Sequence, residues 1–546
     1  FISKKYYFMI IKNLVFFFKI FVSHRLAKIY QKLIISNKYE ILVNRSLHNL
    51  RKKNYFKKFK NHKSNKRYTI ELASKRINIK KIEWTKLYKD NEDIDSLYRF
   101  NWIIKVVINQ GLINKKFQFW INNQIHELIS VSKKKNLDNF SKICFHPYNI
   151  SERLSNLITY YILYKKNLTK ESYDFIITDI QTLLNNLEIN GHRTGNHIVN
   201  NCRALIYSGY FLNNKKLIEI GVNIFLEKYK KILFDDGFLR DGSTHYHFLV
   251  TRWIFEINSL LNKSKYKSYR VKKIDKICRE MIKICNYFND KSIDLFPLFG
   301  DISPDFSPSY FNNLFDKKNK PKKNFLSIWR KLRFKNVNEN ISNDKVLDIK
   351  KKSGWLKLKI LRYVVFLRLP ISNKDLSHNL IHHSHDDVGH FLIYYNKKAI
   401  FSKSGRYTYN NLQGTRNIDH NKIYLINRKS KNFRLFILSF FNNHLDYNLK
   451  RKKNYYEFSI LNNDFFKWKR KIIFFNSKIK IIDKNLSFFN LNLIYHLNHL
   501  RDKQIECDSQ IKYKSNLVKS YGKKDNQKML KFLLKPKYSK NLTIKL

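Results

Sequence analysis

Side chains able to do chemistry gather in three short runs of this chain. The densest is His382-His383-Ser384-His385-Asp386-Asp387-Val388-Gly389-His390-Phe391. Imidazole is the side chain whose proton affinity lies nearest neutrality, so such a run suits general acid–base work or metal ligation. Residues two apart on an extended strand face the same way, so His383 and His385 are expected to share a face with Asp387 next along it. The run leads into Leu392-Ile393-Tyr394-Tyr395, a polar corner at Asn396-Lys397, and Ala399-Ile400-Phe401-Ser402. Aromatic and β-branched segments around a two-residue Asn-X corner predict a β-hairpin. Beyond it come Gly405-Arg406-Tyr407-Thr408-Tyr409 and then Asp419-His420-Asn421.

The other two runs are Asn190-Gly191-His192-Arg193-Thr194-Gly195-Asn196-His197 and Asp235-Asp236-Gly237-Phe238-Leu239-Arg240-Asp241-Gly242-Ser243-Thr244-His245-Tyr246-His247. Each leads into a helical pattern. A helix start offers unpaired N–H groups to an anion, and glycine permits tight backbone geometry there. The simpler reading is that Asn196 and Ser243 only cap their helices, a common role for both types.

The elements that would position these runs follow from periodicity. Leu97, Phe100, Ile103, Ile104 and Val107 recur at helical spacing, as do Leu154, Leu157, Ile158 and Tyr161 after a start near Ser151. Further helices are predicted over 171–188, 196–212, 215–233, 246–262 and 272–288, joined in pairs by short links. Serial helix pairs indicate an α/α toroid or solenoid. After about residue 345 the texture changes. Strand-like runs at 355–369, 391–395, 422–426, 433–440, 456–461, 465–475 and 478–483 indicate a β-sandwich. The expected fold is therefore α + β and multidomain: a basic N-terminal extension over 1–90, an α/α toroid over 91–345 and an antiparallel β-sandwich over 346–546. Residues 40–80 read as a polar surface connection, and 508–546 as a last strand or two with a frayed end.

The length of 546 residues and the 43% hydrophobic share can fill a core in each of two or three domains. The formal charge of +65 would draw anionic partners. The same bias raises Lys, Asn, Ile, Phe and Tyr together, as AT-rich coding does, so charge alone does not name a partner. Five irregularly spaced cysteines, without a Cys-x-x-Cys pair, argue against a disulfide framework or a structural zinc cluster. Residues 1–22 are basic and apolar. Lys12 and Lys19 interrupt the apolar run, which favours an amphipathic helix over a membrane span. No transmembrane segment is expected elsewhere. Nothing matches a zinc finger, a phosphate-binding glycine loop or an aromatic RNA-binding signature, so no nucleic-acid partner is expected.

The three runs together resemble the heparinase II/III-like family of polysaccharide lyases. The C-terminal part of the resemblance rests on His383, His385, Asp387, Phe391, Gly405, Tyr407, Tyr409, His420 and Asn421. The N-terminal part rests on Asn196, His197, Ala204, Leu205, Asp236, Gly237, Ser243, Tyr246 and His247, with the blocks 146–154 and 297–301 as further landmarks. The similarity spans roughly residues 95–430. It implies β-elimination on a uronic-acid polysaccharide, with Asn196 neutralising the sugar carboxylate, Tyr246 as acid/base and His383 as catalytic base. His197, Arg240 and Tyr407 are implied near the substrate. The family's structural metal would fall on His385, Lys403 and His420. Lys403 puts a cation where the family has an Asp, so zinc is expected to be absent or to use Asp386 or Asp387 instead. The implied partner is an acidic polysaccharide and the implied location the cell envelope or periplasm, although no clear signal peptide shows and a cytoplasmic location stays open. The alternative is a glycan-binding or surface-polysaccharide assembly protein that keeps the fold and has lost turnover.

Overall fold

A computed structural model describes residues 18, 22–27, 29, 66–86, 88–110, 113–133, 138–164, 168–190, 194–264, 266, 268–314, 346–371, 383–385, 387–402, 406, 409, 421–425, 445–462, 467–488, 490–498, 500–507, 511–521 and 523–546. The strand predicted at 433–440 and most of the predicted N-terminal helix lie outside them. No helix among the described residues is long and apolar enough to cross a membrane.

The helical half runs α1 (Asn91–Tyr98), α2 (Asn101–Gln110), α3 (Lys115–Ser132), α4 (Asp138–Cys144), α5 (Pro147–Leu163), α6 (Lys170–Asn185), α7 (Asn196–Phe211), α8 (Lys215–Ile232), α9 (Thr244–Lys263), α10 (Tyr269–Phe288) and α11 (Pro308–Leu314). It is an α/α toroid. The inner helices α5, α7 and α9 are buried almost all round, whereas α6, α8 and α10 keep a polar outer face. Helix α5 begins at Pro147, earlier than Ser151. Pro suits the first helical turn, and His146 supplies the cap by accepting the Tyr148 N–H at 3.3 Å. The inner helices are cross-linked by buried charge: Arg203 on α7 meets Glu152 on α5 at 2.8 Å and Glu256 on α9, and Arg252 holds the other oxygen of Glu256 at 2.7 Å. Buried ions persist only when paired, so this network fixes how the three helices face one another.

Of the segment read as a surface connection, the described residues 66–80 instead contain a hairpin, β1 (Tyr68–Glu71) and β2 (Arg76–Ile79). Tyr68, Ile70 and Leu72 enter the helical core, with the Tyr68 ring stacked on Phe117 at 4.5 Å. The strand is too short for its alternation to stand out against Lys/Asn-rich surroundings.

The C-terminal half is a two-sheet sandwich. Its larger sheet contains β3 (Leu347–Lys350), β4 (Trp355–Ile360), β5 (Tyr363–Arg368), β6 (Phe391–Tyr395), β7 (Lys398–Phe401), β8 (Lys422–Leu425), β13 (Leu491–Leu497), β15 (Ile511–Ser520) and β16 (Lys523–Leu534). The smaller contains β9 (Leu445–Arg451), β10 (Tyr456–Asn462), β11 (Trp468–Phe474), β12 (Lys478–Asn485), β14 (Ile505–Cys507) and β17 (Ser539–Lys545). The β6–β7 hairpin turns at Asn396 and Lys397, both with positive φ, the geometry a two-residue primed turn needs. The end of the chain is not frayed: β15 and β16 extend the larger sheet and β17 pairs with β12 over its length.

The larger sheet is covered on both faces. Trp355, Val364, Phe366, Leu392 and Tyr394 join the helical core, while Leu356, Leu358, Val365, Leu367 and Ile393 face the smaller sheet. Polar ties seal the seam. Asp236 accepts the Ser353 N–H and hydroxyl at 3.0 and 2.7 Å, and Asp290 is ion-paired with Lys357 and Lys359.

His245 and His247, beside the candidate tyrosine, are structural. His247 Nδ1 accepts the Leu239 N–H at 3.2 Å and its Nε2 donates to the Met281 carbonyl at 3.1 Å, which requires a neutral ring. Burial pushes both histidines down to about 3. Unfolded histidine binds its proton near 6.5, so between about pH 6.5 and 3 the unfolded chain holds more protons and stability falls as pH falls, by up to about 1.4 kcal/mol per pH unit for each ring. Urea unfolding followed through this range should show that slope, and His247→Gln should flatten it. An unchanged slope would place the acid sensitivity elsewhere.

Candidate active site

Helix α9 begins where it does because the Ser243 hydroxyl accepts the Tyr246 N–H at 3.1 Å. That hydroxyl also donates to the Asp301 carbonyl at 2.7 Å. Thr244 fastens the same segment, its hydroxyl donating to the Pro297 carbonyl at 2.7 Å and its N–H to the Phe299 carbonyl at 3.0 Å. From the sandwich side, the Asp301 N–H donates to the His383 carbonyl at 2.9 Å, and the His383 N–H to the Asp241 carbonyl at 3.2 Å. Gly300 lies between the two halves with φ +74°. A Cβ there would stand 2.5 Å from the His383 oxygen and 2.7 Å from Ser243 Cα, so only glycine fits.

Asp301 thus reaches the seam on a rigid loop. One of its oxygens lies 3.1 Å from His383 Nδ1 and the other 2.8 Å from His385 Nε2. Burial would raise this carboxyl, but the hydrogen bonds from His383 and His385 outweigh it and hold Asp301 well below the usual carboxylate range. His383 Nδ1 is thus taken by Asp301, which orients the ring and fixes Nε2 as the other ring nitrogen. Residues 383–385 and 387–390 are not the strand expected, since β6 starts only at Phe391. His383 and His385 still converge, on one carboxylate. Asp387 does not continue the row; it is buried, and its carbonyl accepts the His390 N–H.

The Tyr246 ring lies parallel to the His383 imidazole, centroids 3.7 Å apart. Its hydroxyl is hydrogen-bonded to that of Tyr409. Tyr409 is held in turn, its N–H on the Tyr521 hydroxyl at 3.2 Å and its carbonyl accepting from Arg406 at 2.6 Å. Arg406 also lies 3.7 Å from the Asp301 carboxylate. Burial pushes both phenols well above their usual range, so each carries its proton at neutral pH.

Asn196 is the first residue of α7, and Gly195 occupies the cap position. The capping reading therefore fails for Asn196 while holding for Ser243. The Asn196 side chain is 2% exposed and its Nδ2 has no hydrogen-bond partner among the described residues. A buried donor left unmade costs about 1–3 kcal/mol. This one sits in the first turn of a helix, where free backbone N–H groups and the helix dipole both favour an anion. Next to it, His197 Nδ1 lies 2.7 Å from Glu188, whose other oxygen accepts from Asn201 at 3.1 Å. Burial opposes a charged ring here, but Glu188 outweighs it and raises His197. Asp241, which accepts the His383 N–H, adds to that pull and links the two groups. The His197 ring also lies 4.6 Å from that of Tyr148, whose hydroxyl donates to buried Asp305 at 2.7 Å.

Arg240 donates through Nε to the Leu233 carbonyl at 3.0 Å and covers the Phe234 ring at 4.5 Å. Tyr407, Lys403 and His420 lie outside the described residues. Among those described, no three His, Cys, Asp or Glu side chains are grouped to hold a metal ion, and His385 turns Nε2 to Asp301. Asp301, Tyr409 and Glu188 received no role from the sequence. Asp301 was visible as a landmark and Tyr409 as part of the Tyr-x-Tyr pattern, but Glu188 carries no local signal.

The Heparinase II/III N-terminus family matches residues 21–320, more than half of the chain, and the protein belongs to that family. Its fold is similar to that of a heparinase III gene product (16% identity, TM-score 0.56, covering 85% of this chain and 81% of that one). A crystal structure of heparinase III is also similar, at 16% identity and TM-score 0.58, covering 85% and 79%. A mutant of the heparan sulfate lyase HepC from Pedobacter heparinus matches at 13% identity and TM-score 0.50, covering 93% and 88%. No curated protein matches the sequence.

Gly300→Ala is expected to break the seam, since neither the His383 carbonyl nor the Ser243 backbone can yield. It should lower stability by about 2 kcal/mol or more in thermal or urea unfolding. A mutant with wild-type stability would show that the close approach is not required.

Proposed function

We propose that this protein is a lyase that cleaves acidic, uronic-acid-containing polysaccharides of the heparin/heparan or cell-envelope type by β-elimination. The observation that carries this reading is the stacked Tyr246–His383 pair, one member from each half of the chain, at a seam fixed by Asp301. The unmade amide donor of Asn196 supports it.

The proton beside a sugar carboxylate is hard to remove while the carboxylate keeps its full charge. The Asn196 amide and the first turn of α7 would hold that carboxylate and take up the enolate-like charge as it develops. His383, oriented by Asp301, removes the proton through Nε2. The electron pair forms the ring double bond and expels the glycosidic oxygen, which takes a proton from Tyr246. Burial that keeps the phenol protonated suits the acid role. Tyr409, hydrogen-bonded to that hydroxyl, would stabilise the phenolate left behind until Tyr246 is reprotonated. The cationic tendency of His197 adds attraction for the acid group, and the excess of lysine and arginine draws the polymer in.

Incubation with heparin, heparan sulfate and other uronate polysaccharides should give rising ultraviolet absorbance from the new double bond. Tyr246→Phe and His383→Ala should each lower turnover by about a hundredfold or more while binding survives. Folded protein that binds these polymers yet never yields the chromophore would make it the non-catalytic glycan binder instead.

A further inference from the structure

The smaller sheet packs one face on the larger sheet and turns the other outward, on the far side of the sandwich from the helical half. The register places Lys469 on β11 directly opposite Lys484 on β12, and Lys478 on β12 opposite Lys545 on β17. Lys480 stands on the same face, between Ile473 and Thr543. The alternate residues Arg470, Ile472, Ile479, Ile481 and Asp483 are buried beneath, so this lysine face is the outer one.

Like charges directly opposite one another destabilise a sheet. Lys545 is offset by Glu506, and nearby Lys471 meets Glu457 at 3.2 Å. Lys469, Lys480 and Lys484 have no acidic partner among the described residues. With strands about 4.8 Å apart and same-face neighbours about 6.8 Å apart along a strand, these three positions span about 14 Å of the sheet. That is the span of a short run of sugar rings rather than of one small anion. Beyond Lys484 the chain exposes large apolar groups: Phe488 is 88% exposed and Tyr538, whose carbonyl accepts the Asn485 N–H, is 65% exposed. Exposed aromatic groups at the end of a cationic face suit a polymer that offers C–H ring faces and acid groups in alternation.

We propose that this outer face is a second binding surface for acidic polysaccharide, which retains the polymer without taking part in its cleavage. The choice of polymer rests on the acidic-glycan reading of the seam, but the surface has its own test. In the full-length protein, Lys469→Gln, Lys480→Gln and Lys484→Gln are combined with Phe488→Ala. A control removes the same charge from the exposed helical surface with Lys115→Gln, Lys116→Gln and Lys216→Gln. Affinity for heparin chains should fall about tenfold in the first variant, as expected for three exposed ion pairs and a stacking group, and much less in the control. Cleavage of a short uronate oligosaccharide should be the same in both variants and the parent. Equal losses of heparin affinity in the two variants would reduce the effect to net charge and overturn the proposal. So would loss of binding to phosphatidylserine vesicles with heparin affinity kept, which would make the face a membrane contact. A selective loss of heparin affinity in a protein that cleaves no oligosaccharide would uphold the surface while refuting the lyase.

Discussion

One carboxylate joins the two halves of this protein at the point where chemistry is proposed. Asp301 comes from the helical half on a loop laced to the start of α9, and both of its oxygens are taken by imidazoles from the sandwich half. The backbone repeats the tie, through the Asp301 N–H on the His383 carbonyl and the His383 N–H on the Asp241 carbonyl. His383 is thereby held against Tyr246 by groups that cannot drift independently. Short side chains on fixed backbone are what give such an arrangement its precision. The demand for glycine at position 300 follows from the same closeness.

Everything larger serves that seam. In the toroid α7 packs against both α5 and α9, with their mutual facing set by the buried Arg203–Glu152–Glu256 network. The larger sheet must cover the helices with one face and the smaller sheet with the other. Its strands β4, β5 and β6 are therefore apolar on both sides, apart from lysines that reach Asp290. The site is polar only where the loops of both halves meet.

The pattern of residues carried much of this. Helical spacing in 171–288 gave the paired helices to within a few residues, because each pair buries a continuous stripe. The Asn396-Lys397 corner gave the β6–β7 hairpin, because few sequences tolerate two positive φ angles in a row. The burial of Asn196 and Tyr246, the Tyr246–His383 stack and the seam ties could not be read locally, since they depend on contacts between residues far apart in the chain. Alternation misled at His383 and His385: both do point to one place, but as loop residues steered by Asp301 and not as a strand face. The β1–β2 hairpin and the terminal strands β15 to β17 were hidden by lysine and asparagine, whose abundance blurs the apolar period. The contacts of Arg240 with the Leu233 carbonyl and the Phe234 ring carry no local signal either.

The central claim is that Asn196, Tyr246 and His383 act on one sugar. A crystal structure of the Tyr246→Phe protein with a bound uronate oligosaccharide tests it most directly. The carboxylate should accept a hydrogen bond from Asn196 Nδ2, with the adjacent ring carbon facing His383 Nε2 and the glycosidic oxygen beside the edge of residue 246. An oligosaccharide seated with its carboxylate away from Asn196, or with that carbon turned from His383, would contradict it.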